Sequence, residues 1–325
     1  MRRFWRDLPP TTQPHAGGLT REHVIWAYRL LLDRDPENED VIGPKLAGSR
    51  DTSELRRHLM TSAEFQRKNR DYAHTNDRTV VIKELPGGVR LFVDLADHVI
   101  GLNIVRDRYE VDEVRYIRSV LRAGDTAVDV GAHIGFFAMQ MADMVGASGK
   151  VYAFEPVDSN ADLFERSVLE NGFDDRVEFH RAAVGAVMGV ATLTFGRETL
   201  NTGGAYVLGD GTSPLADHET RSVDVLALDR MHLQRPVRLI KMDVEGAEPL
   251  VLRGAAALLT DDRPIVLSEL HPTQLARASN MTAAAFLEEA RRLGYRAHYL
   301  EGHAVGAPIE HAPEAVLVSF VLLPR

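Results

Sequence analysis

Residues 128–135 read VDVGAHIG, and the run KVYAFEP at 150–156 places Glu155 twenty residues after Gly135. The apolar start of the first segment is typical of a buried parallel strand, and residues 136–145 behind it have helical length. Glycine lets the backbone approach a ligand without a Cβ in the way, and the free N–H groups of a helix start favour an anionic group. A carboxylate at the next strand tip can accept both hydroxyls of a ribose. The two segments therefore predict a pocket for a nucleotide-type cofactor.

The turn itself indicates which cofactor. His133 and Ile134 occupy the middle of the turn, so the three-glycine dinucleotide fingerprint is not met, which favours S-adenosylmethionine over NAD. The turn would face the methionine half, Glu155 would hold the ribose, and Asp129 would orient the turn or the cofactor amino group. The predicted cofactor-binding residues are Asp129, Gly131, Ala132, His133, Gly135, Glu155, Pro156, Ala182, Ala183 and Asp243. In the alternative interpretation, the glycines only permit tight strand–helix packing and Glu155 is a solvated acid.

Composition narrows the class of protein. The chain has 325 residues, 45% of them hydrophobic and 26% charged, as in ordinary globular proteins. Its net charge of −9 predicts no nucleic acid partner. The absence of cysteine excludes disulfides, thiolate metal sites and cysteine nucleophiles. No apolar run reaches the roughly 18 residues of a membrane span, and the N-terminus lacks the apolar core of a secretory signal, so we expect a cytoplasmic protein.

The pattern divides the chain into three parts. Residues 1–18 carry three prolines and two glycines without periodicity and are expected to form a flexible tail. Residues 19–72 are predicted to form a small helical module, and residues 73–325 the main domain. The expected apolar face of the module comprises Val24, Tyr28, Leu31, Leu32, Leu55, Leu59 and Phe65.

The main domain begins with a predicted hairpin around Pro86 and a helix over 109–121, after which strands and helices alternate. The expected strands are 127–130, 151–154, 177–180, 239–242 and 265–269, and the expected helices are 136–145, 159–171, 247–259 and 283–293. Residues 296–300 and 315–323 could form a terminal antiparallel pair. This order predicts an α/β fold, a doubly wound parallel sheet with a C-terminal antiparallel strand pair.

Several segments resemble the FkbM family of S-adenosylmethionine-dependent methyltransferases. They read VDVGAHIGFFAMQMA, VYAFEPVDSNADLFERSVLENG, VEFHRAAVG, LIKMDVEGAEPLVLRG and IVLSELHP, and the resemblance covers about residues 79–325. It implies a class I methyltransferase (Rossmann-like) fold and S-adenosylmethionine as cofactor. The family commonly has asparagine where this chain has His133. The segments AYRLLLDRDPENED and LRRHLMTSAEF resemble a bacterial helical module of unknown function, which implies a carbohydrate context.

Acceptor chemistry is expected at the tips of the later strands, where open α/β sheets bind ligands. Asp243 and Glu245 follow one strand, and Glu269 and His271 follow the next. His271 could act as general base with Asp243 and Glu269. Alternatively, Asp243, Glu269 and His271 could hold Mg²⁺ or Mn²⁺, which would acidify a bound hydroxyl.

Other residues of this region have competing interpretations. Asp243 could instead cap the helix expected near Ala247. Lys241 could pair with a carboxylate or be a sheet-edge lysine. The polar loop 201–204 could cover the substrate or simply be long. Residues before the main sheet that could contact substrate are His98, Asp107, Arg108 and Tyr109.

The leading hypothesis is an O-methyltransferase acting on a hydroxyl of a sugar, glycan or glycosylated metabolite, with a small-molecule or glycan acceptor. A methyltransferase of polyketide-type natural products is the alternative within the same class. An NAD(P)-dependent oxidoreductase and a non-enzymatic glycan-binding adaptor are alternatives of other classes. The missing third glycine disfavours the oxidoreductase, and the intact motifs disfavour the adaptor.

Overall fold

The computed structural model describes residues 19–32, 34–50, 52–60, 62, 64–65, 79–196, 204–207, 218–312 and 317–325. The chain divides into two compact units, with the division before Thr79. The predicted tail 1–18 and loop residues 201–203 lie outside the described residues. None of the described helices has the length and apolarity that a membrane span requires.

The first unit consists of α1 (Arg21–Leu32), α2 (Glu39–Ala47) and α3 (Thr52–Met60). The backbone N–H of His23 donates to the Thr20 hydroxyl, which caps the first turn of α1. The buried side chains form one apolar cluster of Val24, Tyr28, Leu32, Ile42, Leu55, Leu59 and Phe65. Six of the seven residues of the predicted apolar face are in this cluster, and Leu31 packs against it half-buried.

The second unit opens with the predicted hairpin, whose strands β1 (Val80–Leu85) and β2 (Val89–Asp94) pair antiparallel. Two helices follow, α4 (Gly101–Val105) and α5 (Val111–Val120). The expected helix over 109–121 is therefore shorter at its start. Glu110 has a left-handed backbone with φ 39°, and this conformation separates Tyr109 from the helix.

The remaining strands build two sheets. In chain order they are β3 (Thr126–Val130), β4 (Lys150–Phe154), β5 (Val177–His180), β6 (Ala183–Val184), β7 (Gly189–Gly196), β8 (Tyr206–Val207), β9 (His218–Leu226), β10 (Val237–Met242), β11 (Ile265–Leu270), β12 (Tyr295–Glu301), β13 (Ala304–Pro308) and β14 (Val318–Pro324). The large sheet has the order β13-β12-β14-β11-β10-β3-β4-β5. Strands β5, β4, β3, β10 and β11 run parallel, and β14, β12 and β13 are antiparallel. The predicted doubly wound sheet with its terminal antiparallel pair is confirmed.

The helices of this unit are α6 (Phe136–Val145), α7 (Asp158–Asn171), α8 (Glu248–Gly254), α9 (Ala256–Asp261), α10 (Pro272–Ser279) and α11 (Ala283–Arg292). The expected single helix 247–259 is two helices. A Cβ on Gly254 would lie 2.0 Å from the carbonyl oxygen of Gly185, so the backbone packs there too closely for another residue. The prediction also missed α10, which starts with a proline directly after β11.

A second sheet of order β6-β9-β7-β8 fills the stretch between β5 and β10, which the periodicity left undefined. Its longest strands, β7 and β9, pair antiparallel over their full length. The start of β7 is hard to recognise in the sequence, because Val190 in the strand and Val187 and Met188 just before it are apolar but exposed.

Both faces of the large sheet are covered, so its central strands are mostly apolar. Every residue of β3 is buried, including Asp129. One core cluster contains Phe137, Met139 and Phe164, and a second contains Phe286 and Phe320 on other elements. Polar side chains are thus concentrated at the strand tips, and this arrangement creates the site.

Candidate active site

The carboxyl ends of β3, β4 and β10 surround a cavity. Of the ten residues predicted to bind the cofactor, eight line it: Gly131, Ala132, His133, Glu155, Pro156, Ala182, Ala183 and Asp243. Gly135 and Asp129 do not. The lining otherwise consists mainly of apolar and aromatic side chains, among them Phe136, Phe137, Phe154 and Leu193.

The glycine turn brings two strand tips into close contact. Gly131 has φ +77°, and a Cβ there would lie 1.9 Å from the carbonyl oxygen of Asp243. The backbone N–H groups of Gly131 and Ala132 both donate to the carbonyl of Phe154 at 3.0 and 2.9 Å. Only glycine allows β3 to turn this closely past β10.

Gly135 has a packing function in this structure. It begins α6 with φ +93°, and a Cβ there would lie 2.9 Å from the ring of Phe164. The alternative interpretation of tight strand–helix packing therefore describes Gly135, whereas Gly131 faces the cavity.

Glu155 organises the loop at the end of β4. Its Oε2 accepts the backbone N–H of His133 at 2.9 Å, and its Oε1 accepts the N–H of Val157 at 2.9 Å and the amide of Asn160 at 3.2 Å. Burial raises the pKa of this carboxyl to about 7, although these hydrogen bonds oppose the shift. Glu155 is 5% exposed, so it is not the solvated acid of the alternative interpretation.

Two buried groups stand beside the turn. His133 adopts a left-handed backbone with φ 51°, and burial lowers the pKa of its imidazole to about 4. The ring is therefore neutral at pH 7. Asp129 is fully buried, and burial raises its pKa to about 6. Neither of its carboxylate oxygens has a hydrogen-bond partner of ordinary geometry within the described ranges.

Lys241 is the buried cation of the cavity. It lies on β10 between β3 and β11, so the sheet-edge interpretation is wrong. Its Nζ is 3.3 Å from Oδ2 of Asp243 and 4.5 Å from the ring centroid of Phe137. Burial opposes its charge, but nearby carboxylates, led by Asp243 and Glu110, outweigh burial and raise the pKa of the ammonium above its ordinary value.

Two residues before the sheet, Tyr109 and Glu110, join the charged group that Lys241 and Asp243 form. Tyr109 lines the cavity, and its hydroxyl bonds to the carboxylate of Glu110. Burial raises the pKa of Glu110 to about 7, and Lys241 opposes the shift. The sequence analysis considered Tyr109 but missed Glu110, whose only sequence signal is its position beside an aromatic residue ahead of a helix.

The loop after β10 is held by Glu248, and Asp243 does not cap α8. The N-cap is Ala247, without a side-chain hydrogen bond. The Glu248 carboxylate accepts the N–H groups of Val244 and Gly246, both at 3.3 Å. The capping interpretation of Asp243 is therefore wrong.

Of the acceptor residues predicted from the sequence, Asp243 and Glu245 line the cavity, whereas Glu269 and His271 do not. Glu269 nevertheless belongs to the charged group, since burial and then Asp243 and Glu110 raise its pKa to about 8. His271 is the N-cap of α10, and its Nδ1 is buried without a hydrogen-bond partner in the described part of the chain.

Geometry gives the metal alternative no support. Among the described residues, no three His, Asp or Glu side chains are grouped so that they could hold a metal ion. The carboxylates of the charged group instead surround the ammonium of Lys241.

The second sheet supplies lining residues that sequence reasoning missed. Leu193, Ala205 and Tyr206 line the cavity. The short apolar run at 205–207, next to the predicted loop 201–204, was the available signal. His98, Asp107 and Arg108 do not line the cavity, and Asp107 pairs with Lys83 at 2.7 Å.

The chemistry of the lining suits S-adenosylmethionine. The walls of the cavity are apolar near Ala182 and Ala183, where an adenine could lie, and a carboxylate stands at the tip of β4 for a ribose. Glycine at 131 leaves backbone without a Cβ where the methionine half would approach.

The sequence matches the family model described as methyltransferase FkbM domain over residues 129–297. Similar solved structures include an FkbM methyltransferase from Methylobacillus flagellatus KT (17% identity, 69% of this chain and 52% of that chain, TM-score 0.37). A second is an S-adenosylmethionine-dependent O-methyltransferase from Thermotoga maritima (14% identity, 75% of this chain and 77% of that chain, TM-score 0.39). A third is M. jannaschii TYW2 in complex with AdoMet (13% identity, 75% of this chain and 85% of that chain, TM-score 0.42). No curated protein sequence matches the chain.

Proposed function

The chain belongs to the methyltransferase FkbM family of S-adenosylmethionine-dependent enzymes, and from that membership we propose that it methylates a hydroxyl of a sugar, glycan or glycosylated metabolite. One observation carries the proposal. The wall of the cavity at the end of β10 holds two carboxyl groups and an ammonium, Asp243, Glu245 and Lys241, whereas the rest is mainly apolar. Carboxylates accept hydrogen bonds from hydroxyls, so this wall suits a polyhydroxylated acceptor better than an apolar one.

The roles of the residues follow from their placement. S-adenosylmethionine supplies a methyl group on a positively charged sulfur. Asp243 accepts the proton that the acceptor hydroxyl loses, because its carboxylate lines the cavity. Lys241 remains an ammonium and fixes the orientation of Asp243 at 3.3 Å. Glu269 is a weaker candidate for the base at pH 7, because its raised pKa of about 8 keeps it mostly protonated.

The proposal is tested by incubating the protein with methyl-labelled S-adenosylmethionine and fractionated cell glycans, glycolipids and metabolites. We expect label in a methyl ether of a sugar-containing fraction. Label confined to a polyketide-type fraction, or to nitrogen or carbon, would contradict the sugar hydroxyl as acceptor.

The base is tested separately with Asp243→Asn and His271→Ala. We expect Asp243→Asn to lower turnover by about 10²–10⁴-fold while S-adenosylhomocysteine still binds, since an amide cannot accept the proton. An equal loss in His271→Ala alone, together with disappearance of a pH–rate limb near 6–7, would assign the base to His271. Inhibition by EDTA that Mg²⁺ or Mn²⁺ reverses would restore the metal alternative.

A further inference from the structure

Arg277 on α10 is a cation without a counter-charge. Its guanidinium carbon lies 3.8 Å from the ring centroid of Tyr206. Within the described ranges it forms no ion pair or hydrogen bond, and its Nε is buried without a partner. Many other arginines here, such as Arg181, Arg235 and Arg253, are paired with carboxylates.

Arg277 does not itself line the cavity, but it stacks on a residue that does. Tyr206, on which it stacks, is 2% exposed and lines the cavity. One turn earlier on α10, the amide of Gln274 donates to the carboxylate of Glu245, another lining residue. The Ser279 hydroxyl donates to the carbonyl of Gly246 at 2.5 Å, which holds the helix against the loop after β10.

Glu245 interacts electrostatically with Arg277 without neutralising it. Glu245 bonds to Gln274 and makes no ion pair with Arg277 in the described part of the chain. Burial, with Asp243 and Glu248, raises the pKa of Glu245 to about 8, so its carboxyl is mostly protonated at pH 7. Arg277 therefore keeps its positive charge beside Tyr206 and Glu245 in a chain whose net charge is −9.

We propose that Arg277 binds an anionic group of the acceptor, a carboxylate or a phosphate, and so orients its hydroxyl in the cavity. Guanidinium groups bind both anions through paired N–H donors, and stacking on an aromatic ring pre-orders the group. The inference rests on the proposed function and narrows it to acidic acceptors, such as a uronic acid or a sugar phosphate.

The test measures binding without methyl transfer. The protein saturated with S-adenosylhomocysteine is titrated by calorimetry with glucuronate, glucose 6-phosphate, inorganic phosphate and glucose. We expect at least one of the three anions to bind more tightly than glucose, and Arg277→Gln to weaken that binding by about tenfold or more. Whether glucuronate or the phosphates bind better distinguishes a carboxylate from a phosphate. Arg277→Lys should retain part of the affinity, because the charge remains but the planar fork is lost.

Arg166→Gln is the matched control. Arg166 is also half-buried and stacks on an aromatic ring, 4.1 Å from the centroid of Phe92, but Phe92, unlike Tyr206, does not line the cavity. The Arg166→Gln variant should bind the anions as tightly as the wild type does. Equal anion affinity in wild type and Arg277→Gln, equal loss in both variants, or no preference for anions over glucose would overturn the inference. These outcomes leave the hydroxyl acceptor unaffected, whereas label on nitrogen or carbon would contradict the proposed function alone.

Discussion

Gly131 and Lys241 are two positions at which the identity of a single residue determines the geometry of the cavity. The missing Cβ of Gly131 allows the tip of β3 to lie against the backbone of Asp243. The ammonium of Lys241 counters the carboxylates that meet there. The glycine is evident from the motif, because turns of this kind require positive φ. The burial of the lysine is not evident from the sequence, because the order of the strands in the sheet decides whether β10 lies at an edge.

Gly131→Ala should destabilise the protein by more than about 3 kcal/mol, since left-handed strain costs about 1–2 kcal/mol and the clash with Asp243 adds overpacking. The control is Gly172→Ala. Gly172 has φ +62°, but a methyl group there would meet no atom of the described residues within 4 Å, so only the strain of about 1 kcal/mol remains. Urea unfolding measures the loss of stability in both variants. Equal losses of stability would show that the close contact with Asp243 does not matter.

The loop between β10 and α8 shows how an element is stabilised by a buried carboxyl. The sequence placed Asp243 at the strand tip and offered it, as the alternative to acceptor chemistry, as the cap of the next helix. In the structure Glu248 has this role and reaches back to two backbone N–H groups. Spacing alone could not separate the two acids, because Asp243 lies shortly before the N-cap Ala247 and Glu248 directly after it.

Glu248→Gln should increase stability at alkaline pH. Burial raises the folded-state pKa of Glu248 to about 7, above its unfolded value, so its contribution is complete below about pH 4.5 and is lost as pH rises through 7. Glutamine keeps the accepting oxygen without the charge. Urea unfolding from pH 5 to 8.5 should therefore show the variant gaining on the wild type by on the order of 2–3 kcal/mol.

Glu84→Gln is the control for this pH series, since Glu84 is exposed on β1. It should follow the wild-type profile. A Glu248→Gln variant whose stability runs parallel to that of the wild type across the series would refute a buried ionisation at this position.

At the element scale, the regular βα alternation allowed all five parallel strands and four of the helical segments to be located to within about two residues at most ends. The second sheet and α10 were missed for different reasons. Apolar exposed residues obscure the alternation of β7, and α10 is too short for a helical repeat to be recognised. Both omissions affected the site, because Tyr206 and Arg277 lie on these elements.

The whole molecule consists of two units with separate apolar cores. The core of the first unit comprises seven residues between Val24 and Phe65, and every residue lining the cavity lies after Thr79. We therefore propose that the helical module is a separate domain that cofactor binding does not require.

A chain that begins at Thr79 should fold and bind S-adenosylhomocysteine with the affinity of the full chain. Circular dichroism and calorimetry measure the two properties. Retained binding with reduced methylation of a glycan acceptor would assign the module to acceptor positioning. A folded chain that no longer binds the cofactor product would contradict the separation of the two units.

The central claim is that the cavity at the tips of β3, β4 and β10 binds S-adenosylmethionine through Glu155. Calorimetry with S-adenosylhomocysteine and NAD on wild type, Glu155→Ala and Glu165→Ala tests it most directly, with thermal unfolding as a check of folding. Glu165 is an exposed acid of α7 paired with Arg181, so it controls for loss of a carboxylate. We predict one site for S-adenosylhomocysteine, none for NAD, and affinity at least about tenfold weaker in Glu155→Ala only. Absence of S-adenosylhomocysteine binding, or equal affinity in a folded Glu155→Ala variant, would contradict the account.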